Sequence, residues 1–305
     1  MNDQPIEQRR CGFVAIVGAP NAGKSTLVNR LVGTKVSIVS PKVQTTRTRV
    51  LGIALVAEEG AQVIFIDTPG IFTPKLRLER AMVRAAWSGA ADADIVALVV
   101  DAKKGIDDDV TAIIASLKES NRRAILLLNK IDLVKRDQLL GLTARLHESG
   151  IIDDVFMISA EKGDGTTDFL RFCAGKLPEG PWHFPEDEVS DMPQRMLAAE
   201  ITREQLFNRL HQELPYAALV ESEKWEERDD GSVRIDQVIY VRRDSQKAIV
   251  LGKGGAQIKA IGASARQELE RLLERSVHLF LFVKVREDWP DDRQRYSDLG
   301  LEYDA

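Results

Sequence analysis

Apolar positions in the first half of the chain fall into short runs, Gly12–Val17, Val63–Ile66, Ile95–Val100, Ala124–Leu128 and Val155–Ile158, separated by longer stretches of helical period. Several runs are apolar throughout rather than alternating, the pattern of parallel strands buried on both faces. Strands separated by helices imply right-handed crossovers and a sheet covered on both sides. The pattern therefore predicts an α/β, doubly wound, mostly parallel sheet over residues 1–177. The segment 178–194 is rich in proline and acidic residues, which end helices and exclude central strands, and reads as a linker. Residues 195–287 change rhythm. A helical pattern (Met196–Leu214) precedes two strand-like runs (Tyr216–Trp225 and Val233–Arg243), a short helix, a glycine turn, a longer helix (Ala256–Leu273) and a last strand (Val277–Val285).

At 305 residues there is room for two cores. The composition, 44% hydrophobic and 29% charged, is that of a globular protein. Cys11 and Cys173 follow no metal or redox spacing and read as small apolar side chains in a reducing compartment. The polar start and the lack of a long apolar run predict a cytoplasmic protein. A net charge of −5 argues against nucleic-acid binding over the whole surface, so charge must be read by segment.

The first strand runs into Gly18-Ala19-Pro20-Asn21-Ala22-Gly23-Lys24-Ser25-Thr26 and then a helix, which is the phosphate-binding G-x-x-x-x-G-K-[ST] loop in its proper setting. Backbone N–H groups of such a loop turn toward phosphate oxygens, and the helix N-terminus adds partial positive charge. Lys24 is expected on the β- and γ-phosphates and Ser25 on Mg²⁺. Asp67-Thr68-Pro69-Gly70 ends the strand Val63–Ile66, with Asp67 behind the metal and the Gly70 amide near the γ-phosphate. Asn129-Lys130-Ile131-Asp132 ends the strand Ala124–Leu128. The Asp132 carboxylate can accept N1–H and the exocyclic amine of guanine, donors that adenine lacks there. Ser159-Ala160-Glu161 follows Val155–Ile158, where a backbone amide can meet guanine O6. These motifs select GTP and GDP over adenine nucleotides, and all fall at the carboxyl ends of strands, where open α/β sheets bind ligands.

In the stretch Ser40–Arg47, Thr46 is favoured over Thr45 to complete the metal shell when the γ-phosphate is present. Lys24, Thr46, Asp67 and Gly70 thus form the expected hydrolytic set. Ile71 stands where many small GTPases carry a water-orienting glutamine. Hydrolysis is then slow or completed by another group. Asn21 is either a ligand for a monovalent cation or a turn asparagine.

In the second half, Gly252-Lys253-Gly254-Gly255 is a G-x-x-G turn between helical segments, with Lys259 following. KH domains clamp about four nucleotides on such a turn. From Arg242 to Arg266, including Lys247, there are six basic residues and one acidic. Helix, strand, strand, helix, turn, helix, strand is the order of an α+β, type II KH fold. The tail, 288–305, is acidic and reads as a solvated end.

The runs GAPNAGKST, QTTR, DTPG, NKID and SAEK, followed by RDSQKAIVLGKGGAQIK, closely resemble the Era family of bacterial GTPases over nearly the whole chain. The resemblance implies a monomeric factor in assembly of the 30S subunit. Its KH module binds single-stranded 16S ribosomal RNA near the 3′ end under control of GTP, and it associates peripherally with the inner membrane. It also implies that the missing glutamine is a family trait. Two alternatives stay open, a membrane-surface signalling GTPase and a GTP-gated RNA chaperone with little turnover.

Overall fold

The computed structural model describes residues 9–42, 45–210, 214 and 218–305. Gln44 of the QTTR run, His211 and Tyr216 lie outside the described residues. Packing divides the chain into two compact units, one running to Ser37 and including Thr46–Asp191 and Leu299–Ala305, the other made of Ile38–Thr45 and Met192–Asp298.

The first unit holds a six-stranded sheet built from β1 (Arg10–Gly18), β2 (Val50–Val56), β3 (Ala61–Asp67), β4 (Ile95–Asp101), β5 (Ala124–Asn129) and β6 (Ile152–Met157). Their order is β2-β3-β1-β4-β5-β6, with β2 antiparallel to β3 and the remaining pairs parallel. Helices α1 (Lys24–Val32), α2 (Arg77–Ala91), α3 (Asp108–Glu119), α4 (Arg136–His147) and α5 (Thr166–Lys176) supply the crossovers. Apolar clusters on both sheet faces explain the uninterrupted apolar strands: Leu98, Leu126 and Leu128 point to one, Val99, Leu127 and Phe65 to the other. Cys11 and Cys173 are free and buried, Cys173 with its thiol pushed up by burial.

The strand β2 was absent from the predicted set. The linker stretch makes specific contacts at Trp182, Phe184 and Val189. The Val189 carbonyl accepts from Ile53 N–H at 2.9 Å, the Trp182 indole donates to the Gly60 carbonyl at 3.1 Å, and Gln62 Nε2 donates to the Phe184 carbonyl at 2.8 Å. The segment touches the sheet through an antiparallel bridge, Glu179 to Arg10, and otherwise packs beside it through carbonyls and aromatics.

In the second unit α6 (Gln194–Arg209) precedes β7 (Leu219–Glu227), β8 (Val233–Val241), α7 (Asp244–Leu251), α8 (Ala256–Leu273) and β9 (Val277–Val285). The sheet order is β7-β8-β9, antiparallel then parallel. Its core joins Leu206, Val241, Val250, Ile261 and Ile239. This is the expected α+β order.

The tail is not a solvated end. After α9 (Arg293–Asp298), Leu301 is buried, as are Trp289 and Tyr296 before it. Residues Leu299–Ala305 belong to the first unit, where Glu302 pairs with Arg84 of α2 at 3.0 Å and the Arg77 guanidinium covers the Tyr303 ring. Sparse aromatic and apolar anchors among the acidic residues account for this. Among the described residues no helix is long and apolar enough to cross a membrane.

Candidate nucleotide and RNA sites

The phosphate loop begins where β1 ends and closes on the first turn of α1. Gly23 makes the closure, in a left-handed conformation (φ 97°) with its Cα so close to Asn129 that a Cβ would stand 2.2 Å from Nδ2. Lys24 is buried, and its ammonium donates to the carbonyls of Gly18 and Ala19, both at 3.0 Å. Burial lowers its pKa to about 8, opposed by the charge of Asp67.

Three oxygens meet beside it. Ser25 Oγ donates to Asp67 Oδ2 at 2.7 Å, lies 2.8 Å from Thr46 Oγ1, and Thr46 Oγ1 reaches Asp67 Oδ2 at 3.5 Å. Asp67 is fully buried, which raises its pKa, while Ser25 and Lys24 work in the opposite direction. Its other oxygen, Oδ1, is buried with no hydrogen-bond partner. Two hydroxyls and a carboxyl group with one oxygen left unpartnered are the kind of oxygen donor set a hard divalent cation takes. Thr45 is turned away, its hydroxyl donating to the Lys42 carbonyl at 2.8 Å.

The DTPG segment lies against the phosphate loop. A Cβ on Gly70 would stand 2.9 Å from Pro20, and Ile71 N–H donates to the Gly18 carbonyl at 3.1 Å. Thr68 is buried with its hydroxyl on the Ile16 carbonyl at 2.7 Å, so its side chain fastens β3 to β1 and leaves only backbone to a nucleotide. Ile71 is 5% exposed and packs in the core. This position is occupied by packing, not by a group that could hold water.

At the base end, the Asn129 amide ties three loops together. Nδ2 donates to the Ala22 carbonyl at 2.8 Å, and Oδ1 accepts from the amides of Lys130 at 2.8 Å and Ala160 at 3.0 Å. The Asp132 carboxyl is held below the usual range by the Ser159 hydroxyl first, with Lys162 Nζ 3.4 Å away. It is therefore ionised, as acceptance of two guanine donors requires. Two contributors were not visible beforehand. Asp101, at the end of β4, pairs with Lys130 at 2.7 Å, and Arg30 of α1 holds the loop 159–161 through the Ala160 carbonyl at 3.2 Å and that of Glu161. An acid closing an apolar strand was the available signal for Asp101; Arg30 left none.

In the second unit Gly252, Gly254 and Gly255 all have positive φ, and a Cβ on Gly252 would stand 2.6 Å from Gln257 Cβ. The turn between α7 and α8 is thus a tight backbone surface. Lys253 in the turn and Lys259 at the start of α8 are exposed, as are Ile249 of α7 and Arg242 just past β8, and Lys247 of α7 is half-buried.

A family model described as 50S ribosome-binding GTPase matches residues 13–130, and one described as KH domain matches residues 213–290. GTPase Era of Sinorhizobium medicae is 60% identical over 96% of this chain and 94% of its own, and GTPase Era of Agrobacterium fabrum is 60% identical over 96% and 92%. The chain belongs to the Era family of GTPases. Two crystal structures of Era align over nearly all of it. An Aquifex aeolicus Era variant bound to GDP·AlF4⁻ gives a TM-score of 0.90 at 40% identity, covering 95% of this chain and 99% of that one. Era in complex with MgGDPNP and nucleotides 1506–1542 of 16S ribosomal RNA gives 0.90 at 39%, covering 96% and 99%. In this Era-family chain the phosphate loop, the DTPG segment and the guanine loops meet at one end of one sheet, as the motifs required.

Proposed function

We propose that this Era-family GTPase binds Mg²⁺·GTP at the Ser25–Thr46–Asp67 cluster and engages single-stranded 16S ribosomal RNA near its 3′ end through the turn Gly252–Gly255, serving assembly of the 30S subunit. The convergence of Ser25, Thr46 and the half-orphaned Asp67 carboxylate carries the nucleotide half. The related Era complex with MgGDPNP and 16S ribosomal RNA supports both halves.

Lys24, Ser25 and Thr46 would hold the phosphates and metal, while the Gly70 amide and the phosphate-loop amides stabilise charge building on the γ-phosphoryl oxygens. The bound ion supplies neutralisation of that charge. Asp132 selects guanine. Arg242, Lys247, Lys253 and Lys259 meet the RNA backbone, while Gly252, Gly254 and Gly255 let it approach.

Because Ile71 is packed in the core, water is oriented by another group, and a monovalent cation at Asn21 is the group this reading assigns. The buried Ile71 also favours a second reading, a GTP-gated chaperone in which occupancy matters more than turnover. Residence in the cytoplasm as a monomer with peripheral contact to the inner membrane completes the proposal and is open to fractionation.

The test is binding of labelled 3′-end 16S fragments with a GTP analogue, with GDP and without nucleotide, over a salt series. Tighter binding with the analogue and a log–log salt slope near −3, from about four phosphate contacts, supports a gated RNA switch. Equal binding in all three states would reject the gating.

A further inference from the structure

Arg30 stands in the last turn of α1 with its side chain exposed. Its guanidinium reaches across to the loop after β6, where Nε donates to the Ala160 carbonyl at 3.2 Å and Nη2 to the Glu161 carbonyl. The stem runs along Gly163, where a Cβ would meet Arg30 Cδ at 3.8 Å. Two successive carbonyls on one planar fork make a directional grip, which the point charge of a lysine does not reproduce.

The grip acts on what lies on the far side of those peptides. In a planar trans peptide the carbonyl and the next residue's N–H point in opposite directions, so holding the Ala160 carbonyl sets the direction of the Glu161 N–H. The neighbouring amides are committed within the first unit. Ser159 N–H donates to the Asp164 carbonyl at 3.0 Å and Gly163 N–H to the Ser159 carbonyl at 2.7 Å. Ala160 N–H donates to Asn129 Oδ1 at 3.0 Å, and Lys162 N–H to Ser159 Oγ at 3.3 Å. Among the described residues the Glu161 N–H has no such acceptor, which leaves it as the amide of this loop able to meet a base.

The helix gives Arg30 its place. α1 begins at Lys24, whose ammonium lies on phosphate-loop carbonyls, and presents Arg30 about 9 Å further along its axis at 1.5 Å per residue. A phosphate contact and a base-loop contact thus leave one rigid element.

We propose that Arg30 is a positioning residue for base selection: from α1 it holds the peptide between Ala160 and Glu161 so that the Glu161 N–H faces the 6-oxo group of guanine. The proposal rests on the guanine-site reading of this end of the sheet. Asp132 then reads the N1 and 2-amino edge, and the amide aimed by Arg30 reads position 6, where the adenine amine would meet it donor to donor.

The experiment measures, on the full chain, competition of GDP, inosine diphosphate and 6-thioguanosine diphosphate against fluorescent GDP. Inosine keeps the 6-oxo group and lacks the 2-amine; 6-thioguanosine keeps the 2-amine and offers sulfur, a weak acceptor, at position 6. Arg30→Met is a helix-compatible change at an exposed site. It is expected to weaken GDP and inosine diphosphate alike, about fivefold, and the thio analogue less than about twofold. Arg30→Lys should recover only part of the loss. Equal weakening of all three would make Arg30 a general brace of the loop and overturn the proposal. A loss that spares inosine diphosphate would route the effect through Asp132 and overturn it too, as would no weakening at all. If the unaltered chain does not prefer GDP to ADP, the guanine-site reading fails and takes the proposal with it; if it does and Arg30→Met lacks the expected split, the proposal falls alone.

Discussion

Lys130 Nζ lies 2.7 Å from Asp101 Oδ2 and 2.8 Å from the Asn21 carbonyl, so one ammonium joins the end of β4, the phosphate loop and the guanine loop. Lys130 itself has a left-handed backbone (φ 64°), which a non-glycine residue adopts only under such constraint. The base and phosphate ends of the nucleotide site are therefore not independent.

Asp101→Ala should release that tie. The loss expected is about 1–2 kcal/mol, roughly five- to thirty-fold, because the carboxylate is buried while the ammonium is partly hydrated. It should fall equally on GTP and GDP, since neither phosphate count nor metal is touched. Competition titrations of both nucleotides check this, and an effect on GTP alone would assign Asp101 to the metal end instead.

Asp132→Asn should turn the base preference. The amide can accept N1–H and donate to the 2-oxo group of xanthine, but meets the guanine 2-amine with a donor. Guanine nucleotides should lose about a hundredfold or more, and xanthine nucleotides should gain relative to them. Unchanged guanine preference would remove Asp132 from base recognition.

Affinity should depend on pH through Lys24. In the free protein its pKa is lowered to about 8, and a phosphate beside it favours the protonated form. Below pH 8 the ammonium is already charged and affinity is flat. Above it, binding takes up a proton and affinity falls by up to about tenfold per pH unit. The sign for the nucleotide-free fold is opposite: its stability gains from Lys24 as pH rises from about 8 toward the unfolded value of 10.5. Calorimetry in buffers of different ionisation enthalpy, at pH 7 and pH 9, reads the proton directly.

Two glycines of the RNA turn, Gly252 and Gly254, should fail differently. A Cβ on Gly254 meets nothing within 4 Å, and aspartate tolerates left-handed φ, so Gly254→Asp should fold. It should abolish RNA binding by placing a negative charge on the phosphate-facing turn, with nucleotide binding intact. Gly252→Ala drives its methyl into Gln257 and should lower stability by about 1–3 kcal/mol. Thermal unfolding of both variants, with RNA binding measured alongside, separates the two effects.

Much of the nucleotide site was legible because phosphate binding needs glycines, a lysine and a hydroxyl at fixed spacing on a strand–loop–helix path. Apolar runs located the parallel strands for the same kind of reason, burial on both faces. β2 escaped because it is paired antiparallel at the sheet edge, outside the strand–helix alternation that organised the rest. The strand β6 starts at Ile152, earlier than its apolar stretch at Val155, since Asp153 and Asp154 interrupt the pattern. Composition misread the tail: acidic residues outnumber Trp289, Tyr296 and Leu301, yet those three decide its packing. Arg30 and Arg203 were invisible for a different reason. Each donates to a backbone carbonyl more than a hundred residues away, and a carbonyl has no side-chain signature.

The hydrogen bond from Val39 N–H to Glu204 of α6 also bears on how the chain is made. Val39 and Glu204, which share a hydrogen bond, are 165 positions apart. At a synthesis rate of about 5–20 residues per second, Val39 waits roughly ten to thirty seconds before its partner has been translated. The phosphate loop is already made when that interval begins, and the DTPG turn and then the guanine loops are synthesised while Val39 still lacks its partner. A nascent chain can thus complete every nucleotide-binding motif of its first unit before Glu204 exists to receive Val39.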